Sequence, residues 1–178
     1  MKYPYLLLTA ALLTQQALAD FRLTSSDIEG GRMMGKQQEF QGFGCSGANL
    51  SPQLSWSGAP AGTLSYAITV YDPDAPTGSG WWHWLAFNIP AAASSLATGA
   101  SGTAMPAGTV ESRTDYGVPG FGGACPPQGD KAHRYQFTVY ALDTGKLELS
   151  ADSSGALVGY MLNAHTLGKA RLEALYQR

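Results

Sequence analysis

No run of basic residues occurs anywhere in this sequence of 178 residues. Its 11 lysines and arginines are scattered, and the formal net charge is −2. Nucleic-acid binding and polybasic membrane attachment both need clustered cations, so both partner classes are excluded. Cysteine is equally scarce. Cys45 and Cys125 are the only two, too few for a disulfide scaffold. No G-x-S-x-G, H-E-x-x-H or C-x-x-C pattern is present, so the ordinary hydrolase and zinc signatures are missing. Neither a metal nor a cofactor is expected. Gly42 to Gly47 does read G-x-G-x-x-G, but Asn49-Leu50-Ser51-Pro52 behind it opens no helix, as a dinucleotide fingerprint requires. Asn49-Leu50-Ser51 is also a formal glycosylation triplet.

Long hydrophobic runs are absent beyond the first residues. Leu6 to Leu13 is apolar but only about half the length of a membrane span. It follows a positive start at Lys2 and ends in Ala17-Leu18-Ala19, a small-residue cleavage pattern. Residues 1–19 therefore read as a signal peptide and residues 20–178 as one exported, soluble domain, periplasmic or secreted. No cysteine follows the apolar run, so a lipid anchor is not expected. In an exported protein an even pair of cysteines points to one bond. Two free thiols are the other reading, because spacing alone does not give their distance.

Glycine (22) and proline (10) are plentiful, and they fall between short apolar runs. That pattern predicts a mainly β (α+β) domain of many strands joined by turns. Leu64 to Tyr71, Trp84 to Ile89 and Arg134 to Leu142 are the clearest strands. In the last, Tyr135, Phe137, Val139 and Ala141 share one face. Shorter candidates are Phe21–Leu23, Leu54–Trp56 and Thr109–Arg113. Ala91 to Gly108 reads as a long surface connection. Near the end, Ser153 or Ser154 caps a helix over Ala156 to Ala164, and Thr166 caps a second over Leu167 to Tyr176.

Chemistry-bearing residues gather in two places. The stretch "YDPDAPTGSGWWHW" puts Asp72 and Asp74 at a strand end and His83 at the start of the next strand. If the chain stays extended, the two carboxylates project the same way. "CPPQGDKAHRY" brings Cys125, Pro126 and Pro127 before a strand on which His133 and Tyr135 share a side. Imidazole and phenol donors, with turn N–H groups, suit a small anion. An aspartate could accept a histidine N–H and orient the ring, donate when protonated, or receive the ammonium of a zwitterion. Trp81, Trp82 and Trp84 are candidates to wall the mouth, at least one of them serving as core. Ser79 reads as a turn residue, and His165 as an ordinary helix-end residue.

"DPDAP", "GWWHW", "CPPQGDKAHRYQFTVYAL" and, nearer the start, "GFGCSGANLSPQLSWSGAP" resemble the phosphatidylethanolamine-binding protein, or Raf kinase inhibitor, family in its bacterial YbhB/YbcL branch. The resemblance runs from about Phe21 to the C-terminus. It implies a large antiparallel sheet packed on a smaller one, with peripheral and C-terminal helices. It also implies an anion pocket lined by Asp72, Asp74, His83, His133 and Tyr135 and closed by the backbone near Cys125, Pro126 and Pro127. Animal members have glycine where this chain has Cys125, so a bond to Cys45 would pin a pocket loop. The extra C-terminal segment of animal members is expected to be missing here, which would open the mouth to other ligands than phosphatidylethanolamine.

The expected function is binding of a phosphate- or carboxylate-headed ligand, with modulation of a protein partner and without catalysis. Protease inhibition is the alternative, and a histidine-dependent hydrolase a third. The oligomeric state is left open, a homodimer included. If the imidazoles bind the anion as cations, affinity should fall as pH rises through the histidine range, about 6.5.

Overall fold

The computed structural model describes residues 20–178. The signal-peptide reading of residues 1–19 lies outside the described residues. Ten strands and one helix follow in order: β1 (Arg22–Thr24), β2 (Gln41–Gly42), β3 (Cys45–Ser46), β4 (Leu54–Ser57), β5 (Ser65–Asp72), β6 (Trp81–Pro90), β7 (Ser95–Leu96), β8 (Val110–Glu111), β9 (His133–Leu142), α1 (Gly155–His165) and β10 (Thr166–Tyr176). Five of them form an antiparallel sheet in the order β10-β9-β5-β6-β8, and β1-β4-β7 form a smaller one. The hairpin β2-β3 stands apart.

Period-two alternation sorts the long strands onto two faces. Tyr66, Ile68 and Val70 of β5, Trp84 and Ala86 of β6, and Tyr135, Phe137, Val139 and Ala141 of β9 face the small sheet, where Leu23, Leu54 and Trp56 meet them. Ala67, Leu85 and Phe87 face the other way, onto Val158 and Leu162 of α1. The large sheet is thus covered on both faces, which is why its central strands are apolar almost throughout. Each large side chain fully buried there, such as Trp84 or Phe137, contributes roughly 1.5–3 kcal/mol.

The helix begins as expected, with the Leu157 N–H donating to the Ser154 hydroxyl (3.3 Å). Gly155 lies so close to Trp82 that a Cβ there would run into the indole. The second expected helix is a correction. Residues 166–176 form a strand, paired antiparallel along the whole of β9. The spacing of Leu167, Ala170, Leu172 and Leu175 fits a helix, but Ala170, Ala174 and Tyr176 are buried at strand period. The open edge of β9 supplies a ladder of hydrogen-bond partners that a local pattern cannot register. Helix content at the C-terminal end is therefore one short helix among the described residues. The connection from Ala91 to Gly108 also differs from expectation, since it carries β7 and buries Leu96 and Ala100.

Glu39 ties the chain's first third to its end. Its buried carboxylate accepts from the Ser46 N–H (2.7 Å) and the Tyr176 hydroxyl, and Lys36 Nζ lies 2.8 Å away. Burial alone would raise its pKa, but the Lys36, Tyr176 and Ser46 donors outweigh that and hold it at about 2, from an ordinary 4.5. A carboxyl depressed in the folded state stabilises fully above its unfolded pKa and loses that contribution as pH falls. Glu39→Ala should therefore destabilise the protein at neutral pH by about 1–3 kcal/mol per stranded donor. Urea titrations should also show the variant losing less stability than the parent as pH falls from 4.5 toward about 2.

Candidate functional site

The carboxyl end of β5 and the amino ends of β6 and β9 meet at one edge of the large sheet. A cavity of about 170 Å³ opens there. Liquid water would fill it with about five or six molecules, so it admits a small headgroup rather than a folded partner. Asp72, His83, His133 and Tyr135 line its floor, and Cys125, Pro126 and Pro127 one side. Seven of the eight residues expected from the sequence are thus brought together.

Three of them arrive by simple alternation. Asp72 continues the inward series Tyr66, Ile68, Val70 on β5, and His133 and Tyr135 lead the inward series on β9. His83 does not. On β6 the partner of Val70 is Trp84 and the partner of Tyr71 is Trp82, which leaves His83 as the extra residue of a β-bulge. Regular pleating would put it beside Leu85 on the helix-facing side. The bulge turns it toward the cavity instead. The tryptophans divide accordingly: Trp84 is core, Trp82 packs toward α1, and Trp81 lines the cavity.

Asp74 is the expected residue that does not line the cavity. The Asp74 N–H donates to Asp72 Oδ1 (2.8 Å), which closes a turn and ends the extended conformation that would have aligned the two carboxylates. Asp74 instead accepts from the Arg134 main-chain N–H (2.9 Å) and takes the guanidinium on both oxygens, each at 2.8 Å. That pair holds the Asp74 carboxyl at about 2. Its work is to tie the β5–β6 turn to the start of β9.

The polar groups have definite partners. His133 Nδ1–H donates to Asp72 Oδ2 (2.8 Å), and its Nε2 lies 3.5 Å from Asp130 Oδ2. The orienting aspartate foreseen for an imidazole is therefore present, on His133. His83 Nδ1–H donates to the carbonyls of Gly122 (2.8 Å) and Gly123 (3.1 Å). Burial lowers the His83 pKa below its ordinary value, overriding those carbonyls and the Asp72 charge. A cationic His83 in the free protein is thereby disfavoured. Burial, with the Asp72 charge behind it, also pushes the Tyr135 phenol far above its ordinary value. The proton of that buried hydroxyl has no acceptor among the described residues.

Several contributors carried no local signal. Phe43 sits at the tip of the β2-β3 hairpin with φ +50, exposed, and lines the mouth together with Tyr116 and Trp81. Tyr116 stacks on Phe40 (4.0 Å between centroids) and donates to the Gly123 carbonyl (2.9 Å). Asn49 is no exposed acceptor for a glycan. Its amide donates to the Phe121 carbonyl (3.2 Å) and accepts from the Gly123 N–H (2.7 Å), gripping the segment that holds His83. Gly123 passes so near Gln38 that a Cβ would overlap its carbonyl. Arg178 reaches both rims, donating to the Pro126 carbonyl and to the Gly44 carbonyl, each at 2.7 Å. Arg178, two residues beyond β10, thereby bridges the proline wall and the β2-β3 hairpin. Cys45 and Cys125 form a disulfide, with Cα atoms 6.0 Å apart, that pins the hairpin to the proline wall. His165 ends α1, its Nδ1–H donating to Asp143 (2.8 Å), remote from these groups.

A family model described as phosphatidylethanolamine-binding protein matches residues 24–177. The UPF0098 protein YbcL of Escherichia coli K12 is 54% identical over 162 residues, covering 89% of this chain and 88% of the relative. The UPF0098 protein YbhB of the same strain is 46% identical over 157 residues, covering 87% and 99%. The crystal structure of E. coli YbcL, described as a new member of the mammalian PEBP family, superposes with a TM-score of 0.88 over 90% of this chain and 99% of that one. A Chlamydia trachomatis chain described as a homologue of such a protein gives 0.75 at 29% identity, covering 89% and 97%.

The disulfide closes a separation of 80 residues. Replacing both cysteines by serine should lower unfolding stability by about 2–4 kcal/mol. Reduction of the parent protein should reproduce most of that loss, and calorimetry with and without reductant checks both.

Proposed function

The chain belongs to the phosphatidylethanolamine-binding protein family, and from that premise we propose that it is a non-catalytic binding protein for a small ligand with a phosphate or carboxylate headgroup. The carrying observation is the Tyr135 hydroxyl: buried, facing a cavity, with no acceptor for its proton. A polar hydrogen left unpaired in a folded core costs about 1–3 kcal/mol, and an anionic oxygen in the cavity would recover that cost. Phe43, Trp81, Tyr116 and Pro76 around the mouth would meet an apolar or aromatic remainder of the ligand.

The lining argues for holding rather than reacting. Cys125 is oxidised, and the Thr77 hydroxyl is committed to the Gly80 carbonyl (2.5 Å). No lining hydroxyl or thiol among the described residues is paired with an imidazole as an activated nucleophile would be. Asp72, His83, His133 and Tyr135 are then the binding groups, Cys125, Pro126 and Pro127 form a wall, and Asp74 positions the turn. The disulfide and the N-terminal cleavage pattern support a periplasmic or secreted location, where such a bond persists. Modulation of a protein partner would follow from ligand occupancy of this pocket.

Titration with O-phosphorylethanolamine, followed by two-dimensional NMR, should give saturable shifts at Asp72, His83, Cys125 and Tyr135. Tyr135→Phe should weaken binding by about 10- to 100-fold, the value of a hydrogen bond to a charged group. The same variant should keep or raise the melting temperature, because the lost hydroxyl had no acceptor. Absence of shifts at millimolar ligand, or unchanged affinity in Tyr135→Phe, would refute this function.

A further inference from the structure

Resting on the anion-pocket reading, we propose that the cavity selects a phosphoryl group carrying one proton and rejects a sulfate group of the same shape and charge. The argument is a count of donors against acceptors. His83 Nδ1–H is spent on the Gly122 and Gly123 carbonyls. Burial lowers the pKa of the ring against the opposing charges of Asp72 and Asp115 and so disfavours its cation. A neutral imidazole protonated at Nδ1 carries a lone pair at Nε2. That atom has no hydrogen bond to a described residue, and His83 lines the cavity.

Asp72 is a second acceptor on the floor. Oδ1 accepts from the Asp74 N–H and Oδ2 from His133 Nδ1–H, which leaves each oxygen a further lone pair. Asp130 adds a carboxylate beside His133 Nε2 and competes for any proton that nitrogen carries. On the donor side, the Tyr116 hydroxyl is committed to Gly123 and the Thr77 hydroxyl to Gly80. Pro126 and Pro127 have no N–H to offer. The Tyr135 O–H and the Trp81 indole N–H are the uncommitted side-chain donors of the lining among the described residues.

A ligand made only of acceptors would satisfy Tyr135 and Trp81 and still turn its remaining oxygens toward the lone pairs of His83 and Asp72. Sulfate and sulfate esters are such ligands at any ordinary pH. A protonated phosphoryl group differs in one atom. One oxygen accepts from Tyr135, and its P–O–H donates to His83 Nε2 or Asp72. A buried acceptor facing a second acceptor loses its partner and gains repulsion, and the penalty falls on the sulfate alone.

The test is calorimetric titration of the purified protein with phenyl phosphate and with phenyl sulfate at about pH 5, below the second phosphate pKa of about 6, where each carries about one negative charge. Phenyl phosphate should bind at least about thirtyfold more tightly, as expected for a site built around a ligand proton. Inorganic phosphate, titrated alongside, separates the two sources of that group: affinity equal to phenyl phosphate assigns the selection to the free ion, and weaker binding assigns it to an ester. Asp72→Asn replaces an acceptor oxygen by an amide donor and should narrow the gap by strengthening phenyl sulfate. Affinities within about threefold of one another in the parent protein, far short of the contrast expected at such a site, would overturn the selection and leave the anion pocket standing. Binding of neither ester would remove both. The comparison of the two esters on the parent protein decides the matter even if Asp72→Asn does not fold.

Discussion

The antiparallel ladder between β5 and β9 is the constraint on which the pocket depends. It runs from Ser65 opposite Leu142 to Tyr71 opposite Gln136. Because side chains alternate strictly along both strands, this one register decides that Asp72, His133 and Tyr135 emerge on the same face at the same end. A slip of one residue in either strand would turn that strand's side chains to the helix-covered face and part Asp72 from His133 and Tyr135. The Asp72–His133 hydrogen bond closes the ladder just where its main-chain pairing stops. Both groups are buried, so the bond is unscreened and fixes the ring as well as the strand ends.

Around that rigid floor the walls are made of short segments with little regular structure of their own. They are held by ties between distant parts of the chain. The disulfide joins the β2-β3 hairpin to the proline wall, Arg178 bonds to both, and Asn49 grips residues 121–123. Glu39 anchors the start of the hairpin region to Tyr176. Loops that would otherwise be the most mobile part of a β protein are thereby pre-set, which lowers the ordering cost of binding a small ligand. Phe43 at the hairpin tip is the exposed exception, an apolar ring presented over the mouth.

The electrostatics of the floor are unusual for a site that would receive an anion. A carboxyl group lies on it, and burial disfavours the charged form of one of its two imidazoles. Such a floor is poorly suited to bare negative charge. It is well suited to a group that brings both an acceptor and a proton, so hydrogen-bond polarity rather than net charge sets the recognition. The acidic Asp74, which lies nearest in sequence, is neutralised by Arg134 outside the cavity and adds no repulsion.

Local sequence determined much of this protein. The alternating runs of β5, β6 and β9, the capped helix α1, the stiff turns "DPDAP" and "CPPQGD" and the shared side of His133 and Tyr135 all follow from period and proline. These are properties of neighbouring residues, so they can be read without knowing what packs where. The family resemblance rests on the same stretches. Tertiary structure decided the rest. Residues 166–176 became a strand because β9 had an open edge, although their spacing suits a helix equally well. His83 faces the cavity through a register shift defined only by its partner strand. Asp74 turned away because Arg134, 60 residues later, offered a bidentate partner. Tyr116, Asn49 and Arg178 act through contacts across the chain that no local pattern encodes. A hydrogen bond is satisfied by whichever partner the fold delivers, and that delivery is a property of the whole chain.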